Sequence, residues 1–253
     1  MSVAISIRHT ATDRQPLFLR AEWRSLALVN YRIPSGLLEP YVPAGVELET
    51  TNGYAFVSLV GFMFCRTRVF GLAIPGHCNF EEVNLRFYVV RKVENEIRRG
   101  VVFIKELVPR LAVSIIARHL YNENYYTVAM RHHIELDPVG KKGPEITYEF
   151  KADNRWNRIY IATEANHYLP DLDSHEASML EHYWGYSTQK DGGTIEYRVD
   201  HPRWNVWNST ASEIDCDFEL LYGDQLGSFL TEKPYSVFVA EGSPITVSRP
   251  LRI

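Results

Sequence analysis

The chain has 253 residues, 45% of them hydrophobic, which suffices for a substantial core in one large β-rich domain or two small ones. Its 27 Lys and Arg against 31 Asp and Glu leave a net charge of −4, and no basic run or stripe occurs, which argues against nucleic acid or an acidic membrane surface as partner. Residues 1–15 lack the apolar stretch of a signal peptide and no run approaches the span of a bilayer, so a cytoplasmic protein is expected, with no membrane partner.

Residues 1–17 read as an N-terminal tail, and residues 18–253 as a single domain without a linker. Trp23 to Ile33 alternates as a strand, with Trp23, Ser25, Ala27, Val29 and Tyr31 on one side. Pro34-Ser35-Gly36-Leu37-Leu38 then opens a short helix that Pro43-Ala44-Gly45 stops. Val46 to Thr50 and Tyr54 to Phe64 flank Asn52-Gly53, a strong hairpin signal. Cys65 to Asn79 reads as a loop across the mouth of the sheet.

The central stretch runs from Phe80 to Tyr126. In Phe80 to Val90 the period of two puts Val83, Leu85, Phe87 and Val89 on one face, and Glu82, Asn84, Arg86 and Tyr88 on the other. Val101 to Val108 is apolar on both faces except at Lys105 and Glu106, as in a strand covered on both sides. Charges in such a strand need partners or shifted pKa values. An even hairpin loop turns Lys105 toward Glu82; an odd one turns Glu106 there instead. Either way a carboxylate, a guanidinium and a further charge converge on one enclosed surface, which makes a small polar cavity.

Pro109 opens a helical run through Leu120 that delivers Tyr121 to Tyr126 beside the strands. Thr127 to Leu136, Glu145 to Lys151 and Trp156 to Thr163 read as an antiparallel meander. Ser174 caps a helix that extends to Trp184 and that Gly185 ends, packed over the open end of the sheet. Strands follow near Thr194 to Asp200, Trp204 to Phe218, Val237 to Ala240 and Pro244 to Val247, with His201-Pro202-Arg203-Trp204 as a rigid corner.

No metal site is expected. His132 and His133 are adjacent in a strand and point oppositely, while His167, His175 and His182 are spaced irregularly. Cys65, Cys78 and Cys216 are odd in number, lack metal-ligand spacing and read as inert thiols. No glycine-rich phosphate loop and no Gly-x-Ser-x-Gly elbow occurs, so no cofactor is expected.

Several blocks carry a resemblance: NFEEVNLRFYVV, RRGVVFIKELVPR and ARHLYNENYY, with HPRW and LLYG near the end. Together they resemble the YqjF-like family, related in fold to the acetoacetate decarboxylases, and the likeness runs from Phe18 to the C-terminus. It implies a mainly β (α+β) fold, an antiparallel cone-like β-barrel with a few short helices, and, from the assembly of relatives, a possible homo-oligomer. In the decarboxylases an aromatic-x-Glu segment supplies a pocket glutamate, which Phe80-Glu81-Glu82 matches at Glu82. Their Schiff-base lysine stands in a block similar to residues 117–126. There Arg118 and Leu120 fit, but the lysine positions fall on Tyr125 and Tyr126, and a phenol cannot form a Schiff base. The related enzymes also contribute an early arginine, for which Arg24 and Arg32 are the candidates.

The expectation is therefore a pocket for a small carboxylate or oxo compound, with Arg86 as carboxylate clamp, Glu82 as acid or base, and Tyr125 or Tyr126 as hydrogen-bond donor, Arg118 joining them. A second reading makes the protein a lyase, a decarboxylase or aldolase, with Lys105 as Schiff-base amine. A third is a structural or assembly protein without small-molecule chemistry.

Overall fold

The computed structural model describes residues 16–111, 113–114 and 121–253. The expected tail, apart from its last two residues, and most of the helix after Pro109, including Arg118, lie outside these. In chain order the elements are β1 (Leu17–Pro34), two 3-10 turns (Ser35–Leu37 and Glu39–Tyr41), β2 (Glu47–Leu48), β3 (Tyr54–Val69), β4 (Phe80–Val93), β5 (Glu96–Val108), β6 (Tyr125–Thr127), β7 (Met130–Glu135), β8 (Glu145–Ala152) and β9 (Arg155–Thr163). There follow α1 (His175–Leu180), β10 (Trp184–Thr188), β11 (Thr194–Asp200), β12 (Val206–Asp215), α2 (Phe218–Tyr222), α3 (Asp224–Leu230), β13 (Ser236–Ser248) and β14 (Leu251–Arg252). The protein is mainly β, as expected. No helix among the described residues is long and apolar enough to cross a membrane.

The strands run β11-β10-β5-β4-β3-β1-β13 in hydrogen-bonded order, and Val199↔Val247 and Asp200↔Thr246 pair β11 back to β13, so that these seven strands form a ring. Beyond β13 the sheet continues through β12, β9, β8 and β7. This second layer folds over the outer face of the ring. Ile146, Tyr148, Phe150, Ile159 and Ile161 there form one core with Val29, Leu59, Val83, Leu85 and Phe87. A second core, with Leu26, Leu28, Phe62, Phe64, Tyr88 and Trp204, fills the inner face, and Met179 and Leu180 of α1 belong to it. Strands β1, β3, β4 and β5 are therefore covered on both sides, which is why their apolar runs are nearly continuous.

Two slips in register decide which side chains face inward. In β1 the pairing with β3 shifts between Arg24 and Ala27, and Ser25 takes φ 54°, so Trp23 and Leu26 face the inner core while Ala27 and Val29 face the outer one. The strict alternation expected through Ser25 is broken by this extra residue. The carbonyl it displaces accepts the Tyr148 hydroxyl at 2.9 Å, and the Tyr148 ring lies over Gly61, where a Cβ would come 2.6 Å from the ring carbon Cδ2.

In β4–β5 the hairpin closes on a two-residue turn, Glu94-Asn95, between the pair Val93↔Glu96. This even loop, continued without interruption, would set Lys105 opposite Asn84. Instead the register slips between Arg86↔Phe103 and Leu85↔Lys105, leaving Ile104 unpaired and Glu106 opposite Asn84. Asn124 holds the bulge: its amide donates to the Ile104 carbonyl at 3.2 Å, and its own carbonyl accepts from Glu106 N–H at 3.0 Å.

Other expectations are corrected. Asn52-Gly53 closes only a Thr51↔Tyr54 bridge, and β2 pairs with β4, not with β3. β3 continues to Val69, shortening the expected loop. The helix after Ser174 stops at Leu180, and Trp184 and Gly185 begin a strand. Gly185 is needed there because a Cβ would lie 2.1 Å from Cζ of Tyr197. The two closing strands are one, β13.

An isopropyl group at Gly61, as in Gly61→Val, must displace the Tyr148 ring and with it the bond to Ser25. The expected loss is about 1–3 kcal/mol, read from urea unfolding; a variant as stable as the parent contradicts this packing.

Candidate functional site: an acid-lined cavity inside the ring

The inner face encloses a cavity of about 140 Å³. β4 supplies Glu82, Asn84 and Arg86 along its inward face, β5 supplies Phe103 and Glu106, and the segment into β6 supplies Tyr121, Glu123 and Tyr125. His182, between α1 and β10, with His201 and Trp204 from the corner before β12, lines the same space. Parallel pairing of β6 with β5 sets Tyr125 beside Glu106, so both side chains point inward.

Three carboxyls thus meet in one buried site, Glu82 and Glu106 at 2% exposure and Glu123 at 7%. The Tyr125 hydroxyl donates to Glu82 Oε2 at 3.1 Å, the Asn84 amide donates to Glu82 Oε1 at 2.9 Å, and the Tyr197 hydroxyl donates to Glu123 Oε1 at 3.0 Å. Burial pushes all three carboxyls above the ordinary glutamate range. For Glu106 the nearby Glu123 and Glu82 push in the same direction, and for Glu123 the nearby Glu82 does. The bonds from Asn84 and Tyr125, and the charge of Arg86, oppose the rise at Glu82 without cancelling it. A cluster of this kind holds protons near neutrality and can donate hydrogen bonds that a carboxylate could not.

Arg86 lies four residues from Glu82 on the same face, roughly 13 Å along the strand. The residue is 9% exposed; its guanidinium donates to the Met179 carbonyl at 3.3 Å and stands 5.8 Å from the Tyr88 ring centroid. No carboxylate among the described residues forms an ion pair with it, and its Nε has no hydrogen-bond partner among them. The same holds for Trp23 Nε1, Thr67 Oγ1, Asn84 Oδ1, Glu106 Oε2 and His182 Nδ1, all on residues lining the cavity. Buried polar atoms are usually satisfied, and six of the unsatisfied ones among the described residues are gathered on this lining.

Of the residues expected from the sequence, Glu82, Arg86 and Tyr125 come together in the cavity. Lys105 does not: it lies on the opposite face of β5, where its ammonium donates to the Leu221 carbonyl and sits 5.2 Å and 5.4 Å from the ring centroids of Tyr126 and Tyr222. The bulge at Ile104 is the reason. Burial lowers the Lys105 pKa, but the cleft it lines, with Leu107, Lys151 and Asp153, is separate from the cavity. Tyr126 also faces outward and is 46% exposed. Arg118 lies outside the described residues. Arg24 pairs with Glu22 at 2.8 Å and Arg32 stacks 4.0 Å from the Tyr54 ring centroid, so neither early arginine reaches the site. None of the chain's lysines, all of which lie among the described residues, lines the cavity.

Sequence reasoning missed Glu123, His182 and His201. Glu123 stands inside the block of residues 117–126, and a lone glutamate between two asparagines in an otherwise aromatic run was its only signal. The histidines enter from loops and carried none.

The ring with its buried acid cluster has the fold of the acetoacetate decarboxylases. Acetoacetate decarboxylase from Legionella pneumophila is similar at a TM-score of 0.65 and 13% identity, over 98% of this chain and 92% of that one. The enduracididine biosynthesis enzyme MppR, in complex with pyruvate, is similar at 0.64 and 13%, over 99% and 97%. An acetoacetate decarboxylase-like enzyme from Sphingomonas wittichii is similar at 0.63 and 12%, over 99% of each chain. Within that fold the chain belongs to the DUF2071 family of uncharacterized conserved proteins, whose pattern matches residues 20–244. The uncharacterized protein YqjF of Bacillus subtilis is 29% identical to it over 198 residues, 76% of either chain.

Raised carboxyl pKa values tie stability to pH. The native chain keeps protons that the unfolded chain releases, so this contribution is complete below the ordinary glutamate pKa and is lost as pH rises through the raised values. Glu106→Gln removes one such group. Relative to the parent, the variant should gain more than about 1 kcal/mol between pH 5 and pH 8 in urea unfolding; a difference that does not change with pH contradicts the buried, protonated state.

Proposed function

We propose that the protein is a non-covalent site for a small carboxylate or oxo compound, lacking the Schiff-base lysine of the decarboxylases. The observation that carries this is Arg86: a buried guanidinium on the cavity wall without a carboxylate of its own. Keeping such a charge dry is costly unless something anionic meets it, and a ligand carboxylate accepting from the guanidinium is the matching partner. At the other end, Glu82 and Glu106 hold protons and Tyr125 bridges to Glu82. Neutral carboxyls there are donors for a carbonyl oxygen, and Glu82 is the acid or base available to a ligand that spans from Arg86. The volume of about 140 Å³ is close to that of a cavity known to take benzene, which limits the ligand to a few non-hydrogen atoms. A protein of the same fold complexed with pyruvate makes pyruvate the first compound to try.

An amine mechanism through Lys105 has less support. Its ammonium is engaged by the Leu221 carbonyl on the far side of β5, out of reach of a ligand on Arg86.

Thermal shift with pyruvate, acetoacetate and propionate, on the parent and on Arg86→Met checked for folding by circular dichroism, tests the reading. At least one acid should raise the parent's melting temperature by several degrees, and Arg86→Met should lose that shift. Borohydride added with the same acids should leave every lysine unmodified. Shifts unchanged in Arg86→Met, or an adduct on Lys105, would overturn it.

A further inference from the structure

His182 lies 7% exposed on the cavity wall, its ring centroid 4.6 Å from that of Tyr88, the ring that Arg86 also approaches. Its Nε2 lies 3.2 Å from Oε2 of Glu49, whose Oε1 accepts from Arg99 Nη2 at 2.5 Å. Burial pushes the Glu49 carboxyl up, but the bonds from His182 and Arg99 outweigh this and leave it below the ordinary value. It is therefore ionised near neutrality and can only accept, so Nε2 carries the proton. Burial also lowers the His182 pKa to about 4, the charges of Arg99 and Arg86 adding to the fall and Glu49 opposing it. His201, which bonds the His182 backbone, is lowered by burial as well. The imidazole thus has one proton, on Nε2. Nδ1 is a bare acceptor, and it has no partner among the described residues.

Two residues lining one end of the cavity and sharing one aromatic ring thus carry an unused donor, Arg86 Nε–H, and an unused acceptor, His182 Nδ1, neither of them paired among the described residues. We propose that this pair selects a small hydroxycarboxylate: a carboxylate oxygen accepts from Arg86, and the hydroxyl of the same molecule donates to His182 Nδ1. An oxo acid or a plain carboxylate has no donor and leaves Nδ1 unpaired, which a site built for a hydroxyl penalises. An amino acid has a donor, but its ammonium would bring a second positive charge beside Arg86, and the ionised carboxylate nearby, Glu49, is already paired with Arg99. Glu49 is the positioning residue that fixes the tautomer.

The inference rests on the carboxylate reading of the cavity, and the experiment separates the two. Isothermal titration of the full-length protein with lactate, 3-hydroxypropionate, pyruvate, propionate and alanine, at one pH and ionic strength, should give at least one hydroxy acid about tenfold tighter than propionate. His182→Phe, which keeps a ring against Tyr88, should equalise the two. Glu49→Gln should go further. Arg99 donates from Nη2 to Oε1 at 2.5 Å and from Nε to Oε2 only at 3.4 Å, so the shorter bond holds the amide oxygen, the amide NH₂ faces Nε2 and moves the imidazole proton to Nδ1, and preference should pass from lactate to pyruvate. If acids bind the parent but hydroxy acids hold no advantage, or the advantage survives in both variants, the inference fails while the carboxylate site stands. If no acid binds the folded parent, both fail.

Discussion

One unpaired residue in β5 decides the character of the interior. With Ile104 bulged from the β4–β5 ladder, Phe103 and Glu106 both face the cavity and Lys105 is turned out. An unbroken ladder from the same two-residue turn would have put an ammonium beside Glu82 and Asn84, making an internal ion pair. The bulge replaces that pair with a second carboxyl. Bulges recur next to functional sites because they re-aim a side chain without changing the sheet, and here the displaced carbonyl is taken up by Asn124.

The electrostatics follow from that choice. Three carboxyls enclosed together cannot all be ionised, so protons stay on the cluster, and the acid end is close to neutral. Arg86 is then left without a counter-charge on its own strand. In a ring closed by β11–β13 pairing and covered outside by β7–β9 and β12, the side chains at both ends are buried. The interior is polarised: donors and a positive charge at one side, proton-holding acids at the other, and aromatic walls such as Phe62, Phe64 and Phe103 between. The β1 bulge at Ser25 contributes to the same walls by bringing both Trp23 and Leu26 inward.

Much of this was legible in the sequence where a single periodicity governs. Val83, Leu85, Phe87 and Val89 alternate with Glu82, Asn84, Arg86 and Tyr88, and that row, taken with the run of Val101 to Val108 that is apolar on both faces, announced a buried polar face. The antiparallel meander of β7, β8 and β9 was readable for the same reason. What the sequence concealed depends on contacts between distant segments. Nothing about Ile104 signals a bulge, since the residue that stabilises it is Asn124. Gly185 looked like a helix stop, but its lack of a side chain serves the Tyr197 ring. His182 gains its role from Glu49, more than a hundred residues earlier, and a pairing of that range leaves no local pattern.

The most direct test of the account is the ionisation of the acid cluster itself. In protein labelled with ¹³C at glutamate carboxyls, three resonances should remain at the protonated position at a pH where Glu149, held low by Arg131, is fully ionised. Each should disappear in turn in Glu82→Gln, Glu106→Gln and Glu123→Gln. A spectrum in which every glutamate titrates in the ordinary carboxylate range would contradict a cavity built around buried, proton-holding acids.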